Sequence, residues 1–486
     1  MTDFTLAKDA DGVATITWDV KDKSMNVMSM EAWDDFEACI DDALGDDAVK
    51  GIIVTSGKDT FAGGMDLNVI AKMKALAGDD PAQGLMDGLM NAHGILRKLE
   101  RAGMDPKTLK GGKPVACVLP GTALGIGFEI PLACHRIFSA DNPKAKIGLP
   151  EIMVGIFPGM GGTTRLSKKM GAMAASPFLL EGKLSDPKKA KAAGLIDEVS
   201  DDPMADARAW VLSAKDADIV KPWDAKGYKM PGGAPYHPAG FMTFVGASAM
   251  VNGKTQGAFP AAKALLSSVY EGALVPFDTA LKIEARWFTH VLMNPSSEAM
   301  IRSLFINKEA LEKGANRPDV ADEKVSKVGV LGAGMMGAGI AYVSAKAGID
   351  VVLIDRDQDA ADRGKAYSTA ILDKGIARKK TTEDQKTALL DRITATTDLE
   401  ALKGCDLIVE AVFEDVGVKA EMTKAVEAIV GEDCIFATNT STLPITELAK
   451  ASVRPEQFIG IHFFSPVDKM LLVEVLVAKM QSSPTM

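Results

Sequence analysis

Residues 13–18 alternate in polarity, with Val13, Thr15 and Thr17 set against Ala14, Ile16 and Trp18, which predicts a strand. Gly51-Ile52-Ile53-Val54-Thr55 is a short apolar run of the length a buried strand takes. Between them, apolar residues recur at helical spacing from Met30 to Leu44. The rhythm continues through a predicted helix near Pro81 to Glu100 and a strand over Val115 to Leu119. A glycine-rich turn, Gly121 to Gly127, then opens another helix. Strand and helix alternating in this way predict an α/β first domain.

From Ser213 to Gly257 the pattern weakens into Gly, Pro and Lys, which reads as irregular cover or connection. Phe277, Leu281, Ile283, Trp287, Phe288 and Val291 restore spacing near i, i+3, i+4, and Pro295-Ser296-Ser297-Glu298 predicts the stop of that helix and the cap of a second ending at Gly314. The polar segment Arg317 to Ser326 precedes a sharp new strand. The expected organisation is therefore residues 1–200, a cover and helical connector over 201–323, and a last domain over 324–486. No internal repeat or low-complexity tract interrupts it.

Length and composition narrow the class. A chain of 486 residues exceeds one ordinary core. Its 47% hydrophobic and 25% charged residues fit a soluble globular α/β protein. A net charge of -10 argues against a surface that tracks nucleic-acid phosphates, so any nucleotide is expected as a cofactor. Cys39, Cys117, Cys134, Cys405 and Cys434 form no C-x-x-C pair, suggesting neither a disulfide framework nor a metal site. With no signal-like N-terminus and no uncharged apolar run of about 18 residues, the expectation is a cytoplasmic protein without a transmembrane segment.

Two glycine-rich stretches carry candidate chemistry: Phe61-Ala62-Gly63-Gly64-Met65-Asp66-Leu67 and Gly121-Thr122-Ala123-Leu124-Gly125-Ile126-Gly127-Phe128-Glu129. Glycines let backbone N–H groups approach a ligand oxygen. Two converging amides make an oxyanion hole for a thioester carbonyl and the enolate derived from it. Either stretch alone is more often an ordinary tight turn. Glu129 is followed by Glu151 in Ile147-Gly148-Leu149-Pro150-Glu151. Adding water across a C=C bond needs one group to activate the water and one to protonate carbon, a task that suits paired carboxylates. Singly, each Glu is more often a helix N-terminal residue favoured by the dipole.

In this order the stretches resemble the crotonase (enoyl-CoA hydratase/isomerase) family over about residues 4–200. The resemblance implies a crotonase-like ββα fold and an acyl-CoA substrate, with coenzyme A as part of it. It implies the N–H groups of Met65 and Ile126 as the oxyanion hole, Glu129 positioning water and Glu151 exchanging the α-carbon proton. Ile126 departs from the glycine usual in the family. Isomerisation of a 3-enoyl substrate is an implied side activity.

Farther on, Val328 to Leu331 reads as a buried strand, followed by Gly332-Ala333-Gly334-Met335-Met336-Gly337, a helix through Ala347, and a strand Val351 to Ile354 ending in Asp355. This is the dinucleotide fingerprint in context: Gly332 turns the chain, Gly334 admits the pyrophosphate and Gly337 permits close packing, while Asp355 suits the ribose of NAD rather than NADP. Downstream lie Glu414, Lys419, Asn439-Thr440-Ser441-Thr442, His462-Phe463-Phe464-Ser465-Pro466 and Glu474. Oxidising an alcohol needs a base for its proton, and His462 supported by a carboxylate such as Glu474 fits. A lone His is more often a satisfied structural imidazole.

This second set resembles the 3-hydroxyacyl-CoA dehydrogenases over about residues 324–479. The resemblance implies His462 as base, Glu474 as its partner and Ser441 as donor to the substrate oxygen, with Met336, Asp355, Glu414 and Lys419 contacting NAD. Both sets in one chain resemble the bacterial and peroxisomal multifunctional β-oxidation enzymes, whose hydratase product is the dehydrogenase substrate and which imply a thiolase partner. The expected architecture is a crotonase-like ββα domain, a helical connector and a Rossmann-type NAD-binding domain. Family members continue beyond the point where this chain reaches Met480 to Met486, so the dehydrogenase module is expected to be incomplete, with NAD binding outlasting turnover. Two other readings stand beside this one: an acyl-CoA and NAD-binding scaffold without turnover, and an isomerase that uses one of the two acids.

Overall fold

Phe4–Lys8 (β1) pairs antiparallel with the alternating segment Val13–Trp18 (β2), which runs parallel to the apolar run Gly51–Ser56 (β3). Val115–Leu119 (β4) follows, then Ala123–Leu124 (β5), Arg136–Ala140 (β6), Ile147–Gly148 (β7) and Glu198–Ser200 (β8). They form a six-stranded sheet in the order β1-β2-β3-β4-β6-β8 and a two-stranded ribbon of β5 with β7. The structure is a computed structural model describing residues 2–321 and 323–478, so the tail Met480 to Met486 lies outside the described residues. The chain divides into two units, residues 1–315 and 316–486.

In the first unit, helix Ala32–Gly45 buries Ala32, Phe36, Cys39, Ile40 and Ala43, the stripe that its spacing predicts. A side chain such as Phe36 removed from water contributes about 1.5–3 kcal/mol. Helix Pro81–Arg101 starts where Pro81 occupies the first turn and Asp80 accepts the Gln83 N–H.

The segment read as irregular cover differs from expectation, because Pro238–Thr255 is a helix. His237 caps it and Pro238 fits its first turn, but Phe241, Met242, Phe244, Val245 and Met250 are spread around it rather than along one stripe, so no helical period marks it. Phe277–Met293 forms the amphipathic helix predicted from its spacing, and Asn294, one residue before Pro295, caps the helix that follows. Leu265, Phe288 and Val291 from residues 201–315 share one core with Phe36 and Ile52. The cover and connector thus complete the first unit.

The second unit holds Lys327–Leu331 (β9), Asp350–Ile354 (β10), Ile393–Thr396 (β11), Leu407–Glu410 (β12), Ile435–Thr438 (β13), Phe458–Phe463 (β14) and Val473–Val477 (β15). Their order is β11-β10-β9-β12-β13-β14-β15, parallel throughout except for the antiparallel pair β14/β15. The order reverses at β9, the topological switch point where doubly wound sheets bind nucleotides. Helix Met335–Lys346 covers β9 and β10 with Ile340, Ala341 and Ala345 against Val328, Val330 and Val351. Among the described residues no helix is long and apolar enough to cross a membrane.

Candidate active sites

The two glycine-rich stretches of the first unit lie side by side. The N–H groups of Phe61 and Ala62 donate to Thr122 O at 2.9 and 3.1 Å, and Leu124 N–H donates to Ala62 O at 3.0 Å. Gly125 has φ +55°, and a Cβ there would stand 3.2 Å from Glu151 Oε1 and 3.6 Å from Gly64 Cα. Glycine is therefore required both by conformation and by the close approach. Met65 is bridged to Met28 through its neighbours: Met28 N–H donates to Gly64 O at 2.9 Å and Asp66 N–H to Met28 O at 3.4 Å. That pairing turns the N–H of Met65 to the opposite side. Ile126 is the first residue of helix Ile126–Ala133, so its N–H lacks an intrahelical acceptor. Met65, Ile126, Glu129 and Glu151 all line one cavity of about 730 Å³.

Glu129 sits in the first turn of that helix and is buried. Its Oε1 accepts the N–H groups of Met160 at 2.9 Å and Gly162 at 2.8 Å. Burial, with the charges of Glu151 and Glu284, pushes its pKa well above the usual carboxylate range. Glu151 opens the 3₁₀ turn Glu151–Val154. The residue is half-buried, yet its Oε2 is shut off from solvent and has no hydrogen-bond partner among the described residues. Burial, reinforced by the charge of Glu284, pushes its pKa up to about 8.

Sequence reasoning missed Glu284. It is fully buried on helix Phe277–Met293, where its carboxylate accepts Gly161 N–H at 2.6 Å and Thr164 N–H at 2.7 Å. The signal was present: Glu284 falls within the apolar stripe, between Leu281 and Phe288. An acid at a core position needs specific partners.

In the second unit the glycine turn divides by role. Gly332 has φ +92°, and a Cβ there would lie 2.6 Å from Ala411 O, while one on Gly337 would lie 1.7 Å from Gly332 O. A Cβ on Gly334 would meet nothing within 4 Å, so packing does not demand this glycine and its backbone faces open space. Asp355, at the end of β10, accepts the Ala333 N–H at 2.7 Å through Oδ2, which ties the acid to the turn. Met336 is half-buried and packs against the core behind the turn. Strand, open turn, helix N-terminus and acid are together the parts that a dinucleotide pyrophosphate and ribose require, and the residues fit NAD.

Lys419 is buried with its Nζ 2.7 Å from Glu410 Oε1 and 3.2 Å from Glu414 Oε2. Glu410, another residue the sequence reading passed over, ends the apolar strand β12 and also accepts from Thr438 Oγ1 at 2.7 Å. Glu414 accepts from the Thr440 hydroxyl and from the Ser441 N–H at 3.1 Å. Burial opposes its charge, but the Thr440 hydrogen bond and the Lys419 ammonium outweigh burial and hold its pKa down at about 2.

His462 on β14 and Glu474 on β15 are directly opposite in the antiparallel register, which puts both side chains on one face. His462 Nδ1 lies 2.8 Å from Glu474 Oε2, and Ser441 Oγ lies 3.1 Å from His462 Nε2. Ser441, His462 and Glu474 thus form one hydrogen-bonded chain, assembled from the loop after β13 and two adjacent strands.

Residues 8–212 match the enoyl-CoA hydratase/isomerase family, and residues 327–486 match the NAD-binding domain of 3-hydroxyacyl-CoA dehydrogenase. The fatty acid oxidation complex subunit alpha of Shewanella amazonensis is 33% identical over 99% of this chain and 66% of its own length. The same subunit of Shewanella halifaxensis is 35% identical over the same shares. The chain thus spans about two thirds of the length of these relatives. A solved (S)-3-hydroxybutyryl-CoA dehydrogenase from Ralstonia eutropha is 39% identical over 32% of this chain and 57% of its own, with a TM-score of 0.31. The chain belongs to the enoyl-CoA hydratase/isomerase family in its first unit and, through the NAD-binding domain, to the 3-hydroxyacyl-CoA dehydrogenase family in its second.

Proposed function

We propose that this chain carries out two consecutive steps of fatty-acid β-oxidation: hydration of 2-enoyl-CoA to 3-hydroxyacyl-CoA in the first unit, and NAD-dependent oxidation of that product to 3-oxoacyl-CoA in the second. The observation that carries the reading is the cavity in which Glu129 and Glu151 face the same space as Met65 and Ile126. In hydration, the N–H groups of Met65 and Ile126 donate to the thioester oxygen and stabilise the charge that develops on it. Glu129 takes a proton from water as the water oxygen bonds to C3, and Glu151 delivers a proton to C2. The two amides on Glu129 keep the charge there, whereas Glu151 Oε2, which receives no donor, carries the proton.

In the second unit, Gly334 at the helix N-terminus would admit the pyrophosphate of NAD, with Gly332 turning the chain and Gly337 permitting the close packing, Asp355 would accept from the ribose, and Met336, Glu414 and Lys419 would contact the cofactor. NAD, when bound, supplies the hydride acceptor. His462 removes the hydroxyl proton, Glu474 supports the resulting imidazolium, and Ser441 donates to the substrate oxygen. The Shewanella relatives are subunits of a fatty acid oxidation complex, which supports a second subunit. A thiolase acting on the 3-oxoacyl product, in the cytoplasm, completes the proposal. Isomerisation of 3-enoyl-CoA would use Glu151 alone, and the two-acid cavity favours hydration.

The test follows loss of the crotonyl-CoA double bond without NAD, then NADH formation from 3-hydroxybutyryl-CoA. Hydration lost in Glu129→Gln and in Glu151→Gln supports the reading. Acyl-CoA binding without hydration in the unmodified chain overturns it in favour of a scaffold, and 3-enoyl turnover surviving Glu129→Gln assigns isomerisation.

A further inference from the structure

The turn from Pro158 to Thr164 is anchored by almost every polar group it carries. Gly159 O lies 2.8 Å from His93 Nε2, and the Thr163 hydroxyl donates to Pro158 O at 2.7 Å. Its amides are divided between two carboxylates in alternation: Met160 and Gly162 donate to Glu129, Gly161 and Thr164 to Glu284. Glu284 comes from helix Phe277–Met293, far in sequence from the residues 8–212 that match the hydratase/isomerase family. The same helix presses Phe288 onto the turn, since a Cβ on Gly159 would lie 2.4 Å from the Phe288 ring.

We propose that Glu284 is a positioning residue for Glu129: by accepting the Gly161 and Thr164 amides, it fixes the turn whose remaining amides aim the Glu129 carboxylate into the cavity. The inference rests on the reading that Glu129 acts in hydration. Because the two acids grip neighbouring amides of one turn, any rotation of the peptide planes that frees Glu284 also moves the donors of Glu129. The charged groups facing Glu284 are Arg165, Glu129, Glu151 and His93, whose Nε2 is 3.9 Å from Glu284 Oε1. Burial pushes His93 down to about 4, so it is neutral at pH 7, and pushes Glu284 itself up to about 7, so the Glu284 charge is partly present at neutral pH. The charge of Glu284 also contributes to the raised pKa values of both Glu129 and Glu151.

Two variants of the full chain test this, Glu284→Gln and Glu284→Asp. The readouts are crotonyl-CoA hydration across pH, acyl-CoA binding by calorimetry, and thermal unfolding. Glu284→Gln is expected to lower kcat by about ten- to a hundredfold, the scale of a carboxylate displaced by up to an ångström. KM stays within about twofold, because the lost contact serves the transition state rather than binding. The acid limb of the pH profile moves to lower pH, because a repelling charge has been removed. Glu284→Asp keeps the charge but shortens the reach, so kcat falls while the limb stays. A Glu284→Gln enzyme with wild-type kcat and an unmoved limb overturns the proposal. Should that variant not fold, a wild-type kcat in Glu284→Asp overturns it equally. Hydration surviving Glu129→Gln sinks the underlying reading instead, whereas loss in Glu129→Gln beside a normal Glu284→Gln sinks the positioning role alone.

Discussion

Glu129 and the free oxygen of Glu151 are withdrawn from solvent inside the first unit, while in the second the His462 ring is 18% exposed and the Glu474 side chain 51%. The contrast follows from what each pair must do with a proton. A carboxyl that donates at neutral pH has to hold its proton several units above its ordinary pKa, and only desolvation and nearby negative charge achieve that. The first site therefore needs a desolvating cavity assembled from distant segments. The second site relies instead on orientation of an imidazole by its carboxylate partner. A cross-strand register supplies it.

Several substitutions probe that contrast, from the largest expected effect downward. Glu129→Gln should lower crotonyl-CoA hydration by about a thousandfold, within the range for a lost general acid or base, while acyl-CoA still binds by calorimetry. His462→Gln should lower NADH formation from 3-hydroxybutyryl-CoA by about a hundredfold with NAD affinity unchanged. Glu474→Gln should cost only about tenfold, because it acts through the imidazole. A Glu474 variant as impaired as the His462 variant would break the comparison, since the exposed pair would then depend on its carboxylate as fully as the buried pair does. Asp355→Asn should weaken NAD binding by about tenfold, read from NADH fluorescence, and leave hydration untouched.

The smallest effect sharpens the contrast through stability. Glu151 has a folded pKa of about 8 against an ordinary value of 4.5, so the folded state binds the proton more tightly than the unfolded chain does. Its contribution is fully present below the unfolded value and is lost as pH rises toward 8. Glu151→Gln should therefore raise the unfolding temperature of the first unit at pH 8 by a few degrees, with little change at pH 5. Equal shifts at both pH values would show that the carboxyl titrates like an exposed one.

How far the sequence spoke differs between the units for the same reason. In the second, strand, glycine turn, helix and Asp355 follow one another within a short stretch, and the pairing of His462 with Glu474 needs only adjacent strands in the right register. In the first, Glu129 and Glu151 were legible as residue types, but their meeting depends on the ribbon of β5 with β7 and on Gly125, which no local pattern discloses. Glu284 was hidden in an apolar stripe, and helix Pro238–Thr255 lacked a stripe altogether. Both lie where tertiary packing, rather than periodicity, decides the outcome.

Helix Phe277–Met293 sets a practical limit on modular engineering. It carries Phe288 and Val291 into the core of the first unit and Glu284 into the turn beneath Glu129. A hydratase cassette transplanted from this chain into another fusion must therefore be cut after residue 315, since a cut at residue 212 would separate the catalytic cradle from its own supporting beam.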